Sequence, residues 1–369
     1  MSGTAVVAGA VVQRGGFGGH AWVFAQYVRG LRALGWRVVF VDRQVDPAWR
    51  PDRARAVLEL LGGPGGVAVL DARGESVYGL SRPELLVIAG EADLLLNVMG
   101  FLDDRELLEA PRQRVFLDID PGFGQMWCDL GLADVFAGHE TFVTVARRIE
   151  GSGVPTCGHR WRSILPPVHL PDWPVAAPAP DAPITSVASW RGPFGPIEHG
   201  GTTYGLRVHE LRRFLDLPAM TGAPLVLALD IDPEDAVDRA ALVAAGWTLV
   251  DPRRVAGTPS SYRDYVAGSQ AELMIAKHLY VATRAGWFSD RSSCYLASGR
   301  PVVAQDTGFA DVLPCGDGLL AFDTPDDAAA AIDDLRTRYG EHCDAARAFA
   351  EAHLSTDVVL PGLLDDIAA

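Results

Sequence analysis

Lysine is almost absent from this chain. Of its 32 Lys and Arg residues only Lys277 is lysine, and Asn97 is the only asparagine in 369 residues. A coding bias against lysine and asparagine codons accounts for the trend but not for the one lysine retained. Arginine and lysine are different ligands, a planar fork against a compact point charge. Lys277 therefore enters the list of candidate site residues.

Positive charge is scarce as a whole. The 32 basic residues face 47 acidic ones, a net charge of -15. That argues against a nucleic-acid partner, which needs a basic footprint, and against docking on anionic membranes. No run approaches the ~18 uninterrupted apolar residues of a membrane span, so no stable membrane anchor is expected. The opening MSGTAVVAGAVV has no basic n-region and reads as a first strand, not a signal peptide. A cytoplasmic location is the expectation. The five cysteines, Cys128, Cys157, Cys294, Cys315 and Cys343, are odd in number and lack a CxxC pair. That pattern fits reduced thiols better than a disulfide frame or structural zinc.

What is present is a globular composition, 49% hydrophobic and 21% charged. At ~150 residues per domain the length predicts two domains. In the first half, apolar runs at 5–12, 36–41, 67–70, 94–98, 115–118 and 142–145 alternate with helical stretches, such as 21–34. Continuous Val/Ile/Leu runs of this kind indicate a parallel sheet covered on both faces. A proline-rich run from Pro166 to Pro183 interrupts the pattern. It then restarts with runs at 184–188, 225–229, 248–250, 273–275, 302–304 and 319–322. The expected organisation is a first domain over 1–170, a linker over 171–183 and a second α/β domain over 184–350. A final helix within 351–369 is expected to return to the first domain. The fold class is α/β, with two Rossmann-like domains facing across a cleft. Ligands in such folds bind at the carboxyl ends of strands.

Three segments carry candidate chemistry. GGFGGH, Gly15 to His20, joins a strand to a helix. Gly18 and Gly19 let backbone approach a ligand, and a helix start favours anionic groups. His20 is either a cap or a general base. The spacing is not GxGxxG, which weighs against a dinucleotide site, although Asp42 ends the second strand. The second segment is VFLDIDPGFGQMW. Asp118 and Asp120 lie two apart on a strand and share a face. Asp120 is a candidate base or hydroxyl ligand, or a turn cap before Pro-Gly. The third is GWFSDRSSCYLASGRPVVAQDTGF. Ser289, Asp290, Arg291 and Ser292 open a helix and suit a diphosphate. Asp306, Thr307 and Gly308 follow a strand and suit sugar hydroxyls. Arg191 and Lys277 each follow a second-half strand and are candidates for the same phosphates.

The segment GWFSDRSSCYLASGRPVV resembles the donor-binding element of GT-B glycosyltransferases of the family-4 type, E-G-F-G-L-P-x-x-E-A-M-A-x-G-x-P-V-V. Gly286 and Cys294 stand where that pattern has its two glutamates. The resemblance implies sugar transfer from a nucleoside-diphosphate sugar; the acidic charge points to a soluble small-molecule acceptor, and the lysine-poor, GC-rich coding suggests a secondary metabolite. The donor is then a substrate, and no further cofactor is expected. It also implies that Arg191 matches the arginine of a phosphate-binding Arg/Lys pair, with Arg207 nearer than Lys277 to the usual lysine position. His20 and Asp120 are the catalytic candidates. No metal is expected: Asp118-Ile119-Asp120 and Asp230-Ile231-Asp232 have the letters of a DxD pair, but two-acid spacings are common by chance and neither is placed to hold a metal against the diphosphate. A 2-epimerase of the same fold and a non-catalytic two-domain binding protein are the alternatives.

Overall fold

The computed structural model describes residues 3–13, 15 and 17–368. Gly16, part of the glycine-rich motif, lies outside the described residues. The first sheet is built from β1 (Thr4–Ala8), β2 (Arg37–Arg43), β3 (Val67–Leu70), β4 (Ser76–Gly79), β5 (Leu94–Val98), β6 (Gln113–Asp118), β7 (Thr141–Thr144) and β8 (Trp161–Ser163). Its order is β4-β3-β2-β1-β5-β6-β7-β8. The edge pair β3–β4 is antiparallel, while β1 runs parallel to both β2 and β5.

The second half contains β9 (Ile184–Ser189), a hairpin β10 (Ile197–His199) and β11 (Thr202–Tyr204), then β12 (Leu225–Asp230), β13 (Thr248–Val250), β14 (Ala271–Met274), β15 (Val302–Gln305) and β16 (Leu319–Phe322). The second sheet is ordered β13-β12-β9-β14-β15-β16 and its pairs are parallel. Each sheet reverses its winding once, between β1 and β5 and between β9 and β14. Those switch points open crevices at the strand carboxyl ends.

Seven helices position the site: α1 (Gly18–Ala33), α2 (Phe123–Asp129), α3 (Pro259–Ala267), α4 (His278–Thr283), α5 (Asp290–Ala297), α6 (Tyr339–Phe349) and α7 (Thr356–Ala368). Trp22, Phe24, Ala25, Val28 and Leu31 of α1 are buried, and Gly35 ends the turn with φ +86°. α7 lies on α1, where a Cβ at Gly30 would strike Thr356 and Leu360. The proline-rich connection is pinned rather than loose. Trp173 is fully buried, Arg347 donates to its carbonyl at 2.9 Å, and Asp172 holds Arg29 at 2.6 Å and His169 Nδ1 at 2.7 Å.

The halves meet along a continuous seam, and one apolar core cluster runs through both. Trp22 Nε1 donates to Pro259 O at 2.9 Å, and Gly18 N to Ala256 O at 2.9 Å. On the other flank Arg147 N and Arg148 N donate to Gly286 O and Ala285 O, at 3.1 and 2.8 Å. Among the described residues no helix is long and apolar enough to cross a membrane.

Four strands are absent from the sequence reading, and β4, the antiparallel edge strand Ser76–Gly79, is one of them. β8 and the β10–β11 hairpin are the others, each strand only three residues long. Between the hairpin and β12 the chain forms a short helix, Arg207–Leu211, followed by a 3-10 turn, Arg212–Phe214.

Candidate functional site

Asp120 follows β6 on the first sheet and Lys277 follows β14 on the second, so both stand at strand carboxyl ends. The structure brings them together across the seam. Lys277 Nζ lies 2.9 and 2.6 Å from the two Asp120 carboxylate oxygens. The Lys277 and Asp120 side chains are 16% and 27% exposed. The Tyr280 hydroxyl donates to the same carboxylate. The Lys277 ammonium also sits 5.4 Å from the Phe123 ring centre and 5.1 Å from that of Tyr280, within cation–π range. Tyr280 stacks on Trp287 at 4.1 Å, and Trp287 Nε1 donates to Ile119 O at 3.3 Å.

Two buried carboxyls shape the loops on the first sheet. Asp118 accepts from Gln125 Nε2 at 2.6 Å, Thr144 Oγ1 at 3.0 Å and Asp120 N at 3.1 Å. Burial pushes its carboxyl up to about 7. It fixes the strand-to-helix turn that presents Asp120. Asp42 does the same for the glycine-rich turn. It accepts from Val12 N at 2.6 Å and Gln13 Nε2 at 3.2 Å, and burial raises it to about 7. Asp42 thus serves the loop and faces inward.

Gly18 and Gly19 stand at the seam. A Cβ at Gly18 would fall on the Thr258 carbonyl, and one at Gly19 would come within 2.8 Å of the Tyr262 ring. Glycine here permits the close approach of α1 to α3. His20 Nε2 donates to Ala10 O at 3.0 Å, and its ring meets Phe24 edge-on at 5.1 Å.

The start of α5 is built around Glu272, a buried residue of β14. Arg291 Nε donates to Glu272 Oε1 and Ser292 Oγ to Oε2, each at 2.6 Å. Ser289 caps the helix by accepting from Arg291 N at 3.3 Å. Arg207 is buried nearby and donates to Ile275 O at 2.9 Å. Burial, with the charge of Arg291 next, brings it down to about 10. Asp290 is pushed upward mainly by burial. Asp290 lines a cavity of about 10 Å³ with Gln26, Tyr27 and Cys294, room for about one water. The Tyr27 hydroxyl is buried without a partner.

The loop after β15 is self-organised. Asp306 accepts from Gly308 N at 2.9 Å, Ala310 N at 3.1 Å and Arg284 at 2.9 Å. The Thr307 hydroxyl donates to Trp287 O at 2.5 Å, and Gly308 adopts φ +93° where a Cβ would strike Arg284. Arg191 is drawn away to the surface. Its guanidinium lies 2.5 Å from Asp235 and its side chain is 51% exposed. Among the described residues no group of three His, Cys, Asp or Glu side chains is placed to hold a metal ion.

Glu272, Tyr280 and Arg207 are the residues that complete this centre, and of these only Arg207 drew notice in the sequence. Glu272 carries a legible signal, a lone acid inside an apolar strand, AELM, which demands a buried partner.

No family model matches the chain, and comparison with curated proteins returns no match. Solved structures do match over its whole length. An α-glucosyltransferase solved with UDP-glucose and DNA containing an abasic site aligns at TM-score 0.62 and 11% identity, covering 100% of both chains. HepE from Anabaena, solved with UDP and glucose, aligns at 0.59 and 11%, covering 99% of each. AviGT4, a glycosyltransferase of avilamycin A biosynthesis, aligns at 0.57 and 15%, covering 99% of this chain and 97% of its own. The chain has the GT-B fold.

In this GT-B chain both positions that replace the glutamates of the sequence pattern are covered. Gly286 has φ +75°, donates to Thr307 O at 2.8 Å and accepts from Arg147 N. A Cβ there would come within 3.1 Å of Arg148 N. Cys294 is buried against Gln26 of α1, 3.9 Å from its amide nitrogen. A glutamate at either place meets protein rather than open cleft.

Proposed function

We propose that the chain is a glycosyltransferase that moves a sugar from a nucleoside-diphosphate sugar to a soluble small-molecule acceptor. The observation that carries this reading is the Lys277–Asp120 pair, which joins the carboxyl edges of both sheets at 2.6 Å. In the reaction, the bond from the anomeric carbon to the diphosphate oxygen breaks, and a bond to the acceptor oxygen forms. Negative charge grows on the departing diphosphate. Lys277 supplies a compact positive charge for it, with the buried Arg207 behind, so charge stabilisation comes from side chains rather than a metal. Asp120 takes the proton of the acceptor hydroxyl once Lys277 has turned to phosphate. His20, beside the glycine-rich turn, is the second residue proposed for proton transfer.

The net charge of -15 supports a small acceptor over a nucleic acid, and a cytoplasmic setting fits the same reading. UDP is the first donor base to try, because the α-glucosyltransferase and HepE were solved with UDP or UDP-glucose. A second reading, ligand binding without transfer, draws on the covered positions Gly286 and Cys294. A thermal-shift panel of UDP, GDP, dTDP and NAD, followed by a donor-consumption assay, separates them. Stabilisation by one nucleoside diphosphate with release of free sugar or product supports transfer. Stabilisation without donor consumption supports the binding reading. Stabilisation by NAD alone overturns the transfer reading.

A further inference from the structure

Helix α2 begins three residues after Asp120, past the Pro121-Gly122 turn, and carries an apolar stripe. Phe123, Trp127 and Leu130 are spaced i, i+4 and i+7, which sets them on one helical face. Their exposure grows along the stripe. Phe123 is buried under the Lys277 ammonium, Trp127 is half-buried, and Leu130 is 44% exposed. Leu132, just past the helix, is 69% exposed, and its N–H donates to Trp127 O at 2.8 Å. From the second half, the loop after β9 lays Phe194 over this stripe. Its ring centre is 5.4 Å from Phe123 and 4.9 Å from Trp127, edge-on to the latter. The rim is polar, with His199 Nε2 2.7 Å from Asp129.

We propose that this stripe is the acceptor subsite and that it takes a flat, apolar alcohol or phenol. The inference rests on the glycosyltransferase reading and adds the chemical class of the acceptor. A hydroxyl delivered to Asp120 leaves the rest of its molecule somewhere, and the groups packed next to the Asp120–Lys277 pair are aromatic, Phe123 and then Phe194 and Trp127, leading to the exposed Leu130 and Leu132. A sugar-like acceptor needs hydrogen-bonding side chains along its length. The open part of the stripe, Trp127, Phe194 and Leu130, offers ring surface and methyls instead, with the polar groups confined to its two ends. Flat apolar rings gain from both area burial and edge or face contact with Trp127 and Phe194.

The test uses the full chain and two probes, 2-naphthol and methyl glucoside, by isothermal titration with and without the stabilising nucleoside diphosphate. Saturable one-to-one binding of 2-naphthol, at least tenfold weaker in Trp127→Ala and in Phe194→Ala, is the expected result. Leu132→Asp alters an exposed side chain, leaves folding intact and should weaken 2-naphthol threefold or more. Trp127→Phe should retain it. Nucleoside diphosphate affinity should stay unchanged in all four variants, so that loss of the donor reading and loss of this subsite are told apart. The proposal is overturned if 2-naphthol binds the variants as it binds the parent, or if methyl glucoside binds as tightly. It is also overturned if sedimentation shows a dimer that Leu132→Asp dissociates, since the stripe is then a face between copies.

Discussion

Replacing Asp120 with asparagine should tighten nucleoside diphosphate binding while lowering stability. In the structure the carboxylate occupies the Lys277 ammonium with both oxygens, at 2.6 and 2.9 Å. An anionic ligand that uses Lys277 must displace it. Two unit charges ~4 Å apart attract by about 4 kcal/mol at an effective dielectric near 20. Desolvation and the partial exposure of both groups reduce the net value, and hydrogen bonds to charged groups measure about 1.5–3 kcal/mol. Asparagine keeps the shape and removes the charge. Loss of about 1.5–3 kcal/mol of competition corresponds to roughly 10- to 100-fold tighter binding, at 1.4 kcal/mol per decade. The same loss removes a contact between the halves, so the melting temperature should fall by a few degrees. Calorimetric titration of parent and Asp120→Asn with the diphosphate that stabilises the chain reads the affinity, and thermal melting reads the stability. Affinity unchanged or weakened in Asp120→Asn refutes the competition argument.

Two further outcomes follow from the same geometry. Gly18→Ala places a methyl on the Thr258 carbonyl, so it should force α1 from α3 and destabilise by about 2 kcal/mol or more. Small-angle scattering should show a larger radius of gyration, and an unchanged radius and melting temperature would contradict the seam described. The second concerns pH. Asp118 has its folded carboxyl raised to about 7 from 3.8 by burial. A carboxyl raised on folding favours the folded state at low pH, and that contribution is lost as pH rises from about 4 to about 7. Asp118→Asn should flatten the decline of melting temperature across that window, and an unaltered slope would contradict it.

Much of the fold was legible because both sheets are buried on two faces. Runs such as Val67–Leu70 and Leu319–Phe322 have no polar interruption and coincide with β3 and β16, and Leu94–Val98, β5, carries one polar residue, the buried Asn97. The short edge strand β8 and the β10–β11 hairpin were not, since three residues give almost no periodicity. The hairpin did leave a mark in Gly200-Gly201, whose φ values of +56° and +77° suit a two-residue turn. The site was legible in part. Asp120 and Lys277 were visible as polar groups closing apolar strands, but their pairing depends on how two distant halves dock, which spacing does not encode. Arg191 looked equivalent to Lys277 by the same criterion. Only the structure shows Asp235 beside it, drawing it to the surface. Arg291 and Ser292 looked free for a ligand because their partner, Glu272, lies 19 and 20 residues earlier on a neighbouring strand.

The central claim is that Lys277 binds the diphosphate of a sugar donor. Its most direct measurement is a titration of UDP, GDP and dTDP into the parent chain and into Lys277→Ala, with folding checked by circular dichroism. The account predicts saturable binding of one of the three by the parent, and at least tenfold weaker binding by Lys277→Ala. Equal affinity in the two proteins, or no binding of any diphosphate by the parent, contradicts it.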